Sequence, residues 1–235
     1  TVPARDIPTD VLHHLTCQRP PIAGLDMSAP RLMGILNVTP DSFSDGGQFE
    51  APQAAIDRAL AMQAEGAQII DIGGESTRPG ATEVAIATEI DRTAPVIAAI
   101  RAQSGVPISI DTRKSAVGQA AVSAGATMIN DVAAFTFDPA LADVAATAGV
   151  PVCVMHAQGS PENMQDDPAY EDVLLDVYDF LSARVDAAVA AGIPRNQIVI
   201  DPGIGFGKTV AHNLILLRGI ALFHSLGCPI LLGAS

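Results

Sequence analysis

MGILNVTPDSFSDGG, residues 33–47, begins as an apolar run and within a few residues becomes polar and glycine-rich. Its first half reads as a buried β-strand closed by Asn37, so a polar side chain stands where strand gives way to loop. The pattern returns in SIDT (109–112), IND (129–131) and IDPG (200–203), where a few apolar residues precede a carboxylate or carboxamide. Apolar runs rich in Ile and Val occupy 32–38, 68–72, 106–110, 127–129, 150–155, 198–200 and 229–232. Nearly every one ends in a polar residue: Asn37, Asp71, Asp111, Asn130, His156, Asp201 and Ser235.

Between these runs lie helix-like stretches at 51–65, 82–103, 115–124, 138–147, 170–190 and 213–225, most of them ended by Gly. In the fifth, Leu174, Val177, Leu181, Val185 and Ala188 recur at helical spacing and form one apolar stripe. Continuous apolar strands alternating with amphipathic helices imply βαβ units and a parallel sheet, either closed as an eight-fold barrel or open and doubly wound. Polar residues at the C-terminal edge of so many strands favour the TIM (β/α)8 barrel, whose catalytic groups converge on that rim. An open sheet would gather them near one switch point. Seven strands do not close the barrel, and the chain is expected to be a piece ending at strand seven, roughly 45 residues short. The expected division is an N-terminal arm with a small hairpin over 1–30, capping the barrel floor, and a barrel domain over 31–235.

Composition narrows the function. At 235 residues and 49% apolar content the chain can bury a large core, and its scarce aromatics suit helices packed on parallel strands. A formal net charge of -13 disfavours non-specific attraction to nucleic acid or to an anionic membrane. An anionic ligand must therefore be held by local groups. Cys17, Cys153 and Cys228 have no paired spacing and read as reduced thiols. No run is long enough for a membrane helix and no signal peptide is recognisable, so a cytoplasmic location is expected.

Asp111, Asn130 and Asp201 each admit a plain reading as a helix cap or loop-ordering residue. Together on one rim they suit a flat heterocycle with adjacent N–H donors, which a carboxylate accepts pairwise. A lone Asn with distant carboxylates would bind a metal weakly, in the manner of magnesium, with substrate oxygens and water completing the shell. PGIGFGKT (202–209) ends like a phosphate loop, but the first required glycine falls on Pro202. GGESTRPG (73–80) reads either as an ordinary βα connection or as an anion clamp built from hydroxyls, amides and Arg78.

The two segments 33–47 and 73–80 resemble the signatures of the dihydropteroate synthases, the folate-pathway enzymes that sulfonamides inhibit, and the likeness runs from about Arg31 to Ser235. The resemblance implies a transferase in which 4-aminobenzoate displaces pyrophosphate from (7,8-dihydropterin-6-yl)methyl diphosphate, through early carbon–oxygen cleavage and a cationic pterin methylene. It implies that Asp201 and Asn130 bind the pyrimidine edge of the pterin, that Asp111 binds the pterin and stabilises the cation, and that Asn37 ligates Mg2+ beside the leaving pyrophosphate. Thr77 would bond on the diphosphate side. Arg78, Pro79, Phe206 and Ser235 would line the aminobenzoate pocket, with Met155 under the pterin ring.

By the same resemblance Asp111, Asn37 and Arg78 take the catalytic roles, and a homodimer is expected. Residues 39–47 would form a lid hinged at Gly46 and Gly47. Glu75, Asp71 and His156 are read as structural, and Lys208 as a loop anchor. Past a serine like Ser235 the family continues with Arg-Lys and a later Arg-x-His, cations that this sequence lacks. Two other readings remain: a pterin-binding methyltransferase on the same barrel, against which the two loops argue, and a non-catalytic pterin-binding protein.

Overall fold

A computed structural model describes residues 6–39, 50–76, 80–159 and 168–233. Residues 40–47 of the expected lid, its Gly46–Gly47 hinge included, lie outside the described residues. Among the described residues six strands form one parallel sheet in sequence order: β1 Met33–Asn37, β2 Ile69–Gly73, β3 Ile108–Asp111, β4 Met128–Asp131, β5 Val152–Met155 and β6 Ile198–Asp201. The seventh expected strand is reduced to a parallel bridge between Ile200 and Ile230, with Leu231 N–H donating to Ile200 O at 2.9 Å. The helices are α1 Thr9–Thr16, α2 Glu50–Ala64, α3 Ile86–Gln103, α4 Ser115–Ala124, α5 Ala140–Ala148, α6 Val173–Ala190 and α7 Val210–Arg218.

Strict in-order parallel pairing with a helix after each strand is TIM-barrel architecture. Two apolar layers follow from the two-residue strand period. Leu36, Ile70, Ile72, Ile108, Ile110, Ile129, Val152, Val154, Ile198 and Ile200 belong to the core shared with the helices. Ile69, Met128, Cys153 and Val199 point the other way and form a separate cluster inside the sheet, joined by Met33 and Leu231. On α6, Val173, Val177, Leu181, Val185 and Ala188 are buried, and Asp172 caps the helix by accepting from Leu174 N–H and Leu175 N–H. Leu174, placed on that stripe from the sequence, is only partly buried, and Val173 takes its place.

The expected helix over 213–225 is broken in two. Gly219 separates α7 from a 3-10 helix, Ile220–Leu226, and a Cβ on Gly219 would lie 2.6 Å from Leu174 Cδ1. The Leu174 side chain on α6, rather than a turn, fills the space beside this glycine. The N-terminal helix α1 was not anticipated; it docks on this 3-10 helix, where His14 Nδ1 meets Ser225 O at 3.0 Å. A two-residue hairpin follows, Ile22 pairing antiparallel with Leu25. Ala23 and Gly24 both have positive φ, 49° and 81°, as a type I′ turn demands. Ile22 packs on the lower interior cluster at the strand starts.

Candidate active site

The register fixes which polar residues face one another. Asn37 pairs with Gly73, Gly73 with Asp111, Asp111 with Asn130, and Met155 with Asp201. These residues share the inner face, each the last of its strand except Asn130, which precedes Asp131. Asn37 is exposed and Asp111 half-buried, whereas Asn130, Met155 and Asp201 are buried. Two of the expected rim residues are displaced. Asp71 lies one inward position deeper, because β2 runs on to Gly73. His156 follows β5 and leaves the inner face, its ring packing on Phe180 and Tyr170.

Gly73, which the sequence placed in the loop after the second strand, ends β2 and leaves a gap on the rim. A Cβ built there would stand 3.6 Å from Asp111 Oδ2 and 3.7 Å from Asn37 Oδ1, so the missing side chain opens a space bordered by both oxygens. No cluster of three or more His, Cys, Asp or Glu able to hold a metal occurs among the described residues. A single carboxamide oxygen beside open space fits a magnesium ion that draws its other ligands from substrate oxygens and water.

The electrostatics of the inner face favour an incoming cation. Burial, followed by the carboxylates of Asp71, Asp131, Glu89 and Glu75, holds Asp111 well above the ordinary carboxylate range. Burial raises Asp201 to about 6, against a bond from Gly203 N–H at 2.7 Å and the charge of Lys208. Asp131 also rises to about 6 through burial, but it faces away from the pocket and orders its loop, accepting from Ala133 N–H and Phe135 N–H.

The loop after β6 carries Phe206, half-buried, and is held by Lys208. Lys208 Nζ reaches His156 Nδ1 at 2.9 Å, Phe206 O at 2.9 Å and His156 O at 3.2 Å. Burial pushes Lys208 down to about 7, and burial with the Lys208 charge pushes His156 down to about 3, so the imidazole is neutral and Nδ1 accepts. The expected anchoring role of Lys208 is what the geometry displays. The glycines that mimicked a phosphate loop have another cause. A Cβ on Gly203 would lie 1.9 Å from His156 O, and one on Gly207 2.5 Å from Gln158 O, both at positive φ.

Behind the rim, a buried ion cluster ties the loop after β2 to the start of α4. Lys114 Nζ pairs with Glu75 Oε2 at 2.6 Å and Glu89 Oε2 at 2.9 Å, and donates to Val84 O at 2.6 Å. Arg113 pairs with Glu75 Oε1 at 2.9 Å and stacks on Phe137 at 4.1 Å. Glu75 Oε2 also accepts from Val84 N–H, so both ends of the segment 75–84 meet at one lysine. Burial alone would raise Glu75, but bonds from Lys114 and Val84 and the nearby cations hold it below its ordinary value. The Gly-Gly-Glu-Ser-Thr-Arg motif drew attention to this loop without revealing its base, since Lys114 is distant in sequence.

The family model described as pterin binding enzyme matches residues 33–235. The chain belongs to the pterin-binding enzymes. It is 48% identical over 204 residues to a dihydropteroate synthase of Synechocystis, covering 87% of this chain and 71% of that protein. Among solved structures it resembles the dihydropteroate synthase of Xanthomonas albilineans with 4-aminobenzoic acid, with TM-score 0.86, 48% identity and coverage of 94% of this chain and 79% of the other. The same enzyme in complex with 7,8-dihydropteroate matches with TM-score 0.79 and 44% identity, covering 88% and 73%.

Of the residues that the resemblance to this family selects, Asn37, Asp111, Asn130, Met155 and Asp201 come together on one inner face, with Phe206 on the adjoining loop. Thr77, Arg78, Pro79 and Ser235 lie outside the described residues. Among the described residues no helix is long and apolar enough to cross a membrane.

Proposed function

We propose that the inner-face rim binds the pterin and directs the condensation of dihydropterin diphosphate with 4-aminobenzoate. The reaction is that of a dihydropteroate synthase: the aromatic amine displaces pyrophosphate from the (7,8-dihydropterin-6-yl)methyl carbon and gives 7,8-dihydropteroate. The observation that carries the assignment of roles is the convergence of Asp111, Asn130 and Asp201 on one face.

Asp201 and Asn130 accept and donate along the pterin's pyrimidine edge, while Met155 packs beneath the ring. Asp111 faces the methylene carbon and stabilises the positive charge that develops as the carbon–oxygen bond breaks. Burial and the neighbouring carboxylates disfavour its ionised form until a cation arrives, so a developing positive charge is what this position accommodates best. Phe206, held by Lys208, forms one side of the aminobenzoate pocket, which Arg78, Pro79 and Ser235 complete; Thr77 serves the diphosphate. Asn37 would hold Mg2+, which when bound would neutralise charge on the leaving pyrophosphate. The protein acts in the cytoplasm as a homodimer.

Pyrophosphate release is the test. Release that requires both 4-aminobenzoate and Mg2+, with dihydropteroate formed in equal amount, is expected. Pterin binding without release would favour a non-catalytic protein, and methyl transfer from methyltetrahydrofolate would favour the methyltransferase reading.

A further inference from the structure

Below the rim, the inner face carries a polar pair that the reaction does not use. Asp71 and Ser109 are register partners on β2 and β3, and both are buried. Asp71 Oδ2 accepts from Asn130 Nδ2 at 3.1 Å. Asp71 Oδ1 and Ser109 Oγ have no hydrogen-bond partner, and Asp71 makes no ion pair, among the described residues. A buried carboxyl with no counter-ion, its ionised form disfavoured by burial, costs stability that an apolar residue there would not. Asp71 is thus poorly explained as a packing residue.

Its effect on Asn130 is chemical. A carboxamide can be turned over with almost no change in shape, exchanging its oxygen for its NH2 group. With Asp71 Oδ2 as the acceptor, the NH2 group of Asn130 points inward. The carboxamide oxygen is then directed away from Asp71. We propose that Asp71 is a positioning residue, which fixes Asn130 with its oxygen toward the pterin so that the site takes a ring N–H donor there. The inference rests on the reading of Asn130 as a pterin contact.

The test is a double-mutant cycle on the binding of 6-hydroxymethylpterin, measured calorimetrically for the parent protein, Asp71→Asn, Asn130→Ala and the double variant. Asparagine at 71 keeps the side-chain shape but offers donor and acceptor alike, which frees Asn130 to turn over. Asp71→Asn is expected to weaken binding about tenfold, the scale of one hydrogen bond. In the Asn130→Ala background the same change should alter affinity less than about twofold, because there is no carboxamide left to orient. An undiminished loss in that background would overturn the proposal, since a general effect of charge or fold does not need Asn130. If Asn130→Ala alone binds as the parent does, the role of Asn130 falls instead, and the positioning role of Asp71 falls with it.

Discussion

Asp201 serves two partners at once. One oxygen accepts the Gly203 N–H that turns the chain out of β6, and burial keeps the carboxyl protonated up to about 6. Pterin N–H donors need the ionised form, which exists above that pH. The kcat/KM for the pterin diphosphate, which reports the free enzyme, should therefore fall about tenfold per pH unit on acidification below about 6. Asp201→Asn should give a low value without that step, and a pH–rate profile unchanged by the substitution would place the titration elsewhere. The acid loss is not unfolding at Asp201. A carboxyl whose folded pKa is raised binds its proton more tightly when native, so between about 3.8 and 6 its contribution to stability falls as pH rises. His156 acts oppositely: with a folded value of about 3 against 6.5, it withdraws stability as pH drops from 6.5 toward 3. At Asn37, exposed and neutral, substitution by Ala should lower Mg2+-dependent turnover tenfold or more while leaving pterin affinity within about twofold, which parallel kinetics and calorimetry would measure.

The elements hold these residues through loops whose logic the sequence only partly displays. Strand and helix positions were legible because buried parallel strands read as continuous apolar runs and the helices carry apolar stripes. Strand ends were not, since nothing in the letters IIDIGG says whether the sheet stops at Asp71 or runs to Gly73. That two-residue extension moved a carboxylate from the rim into the interior. Lys114 was invisible for a different reason: a buried lysine is meaningful only with its two carboxylates, which the fold brings from 39 and 25 residues away. Replacing it by Met would leave Glu75 and Glu89 buried without their shared cation. A loss of roughly 3–5 kcal/mol in urea unfolding is expected. Adding Glu75→Gln should recover part of it, and a loss below about 1 kcal/mol would show that the cluster is well solvated.

Over the whole molecule, chemistry and stability occupy opposite ends of the same strands, roughly 7–13 Å apart at the usual rise per residue. The rim carries buried carboxylates and a gap at Gly73, features chosen for binding and poor for packing. The floor carries Met33, Ile69, Met128, Cys153, Val199 and Leu231, and the hairpin inserts Ile22 among them at 4% exposure. The composition of residues 22–27 suggested such a cap, but its Ala-Gly turn lacks the usual Asn-Gly signal, so its geometry was not legible. Pro21, Ala23 and Gly24 border a cavity of about 360 Å3 with Val150 and Pro151, so the plug is seated at the strand starts without filling every space. Ile22→Ala should therefore cost about 2–4 kcal/mol in denaturant unfolding, through lost burial and a void that the rigid strand starts cannot close. The kcat and both KM values should stay within about twofold in conditions where the variant remains folded, because none of the described rim residues belongs to the cluster on which the hairpin packs. A variant of near-normal stability with impaired 4-aminobenzoate binding would mean that the floor and the rim are mechanically coupled through the strands.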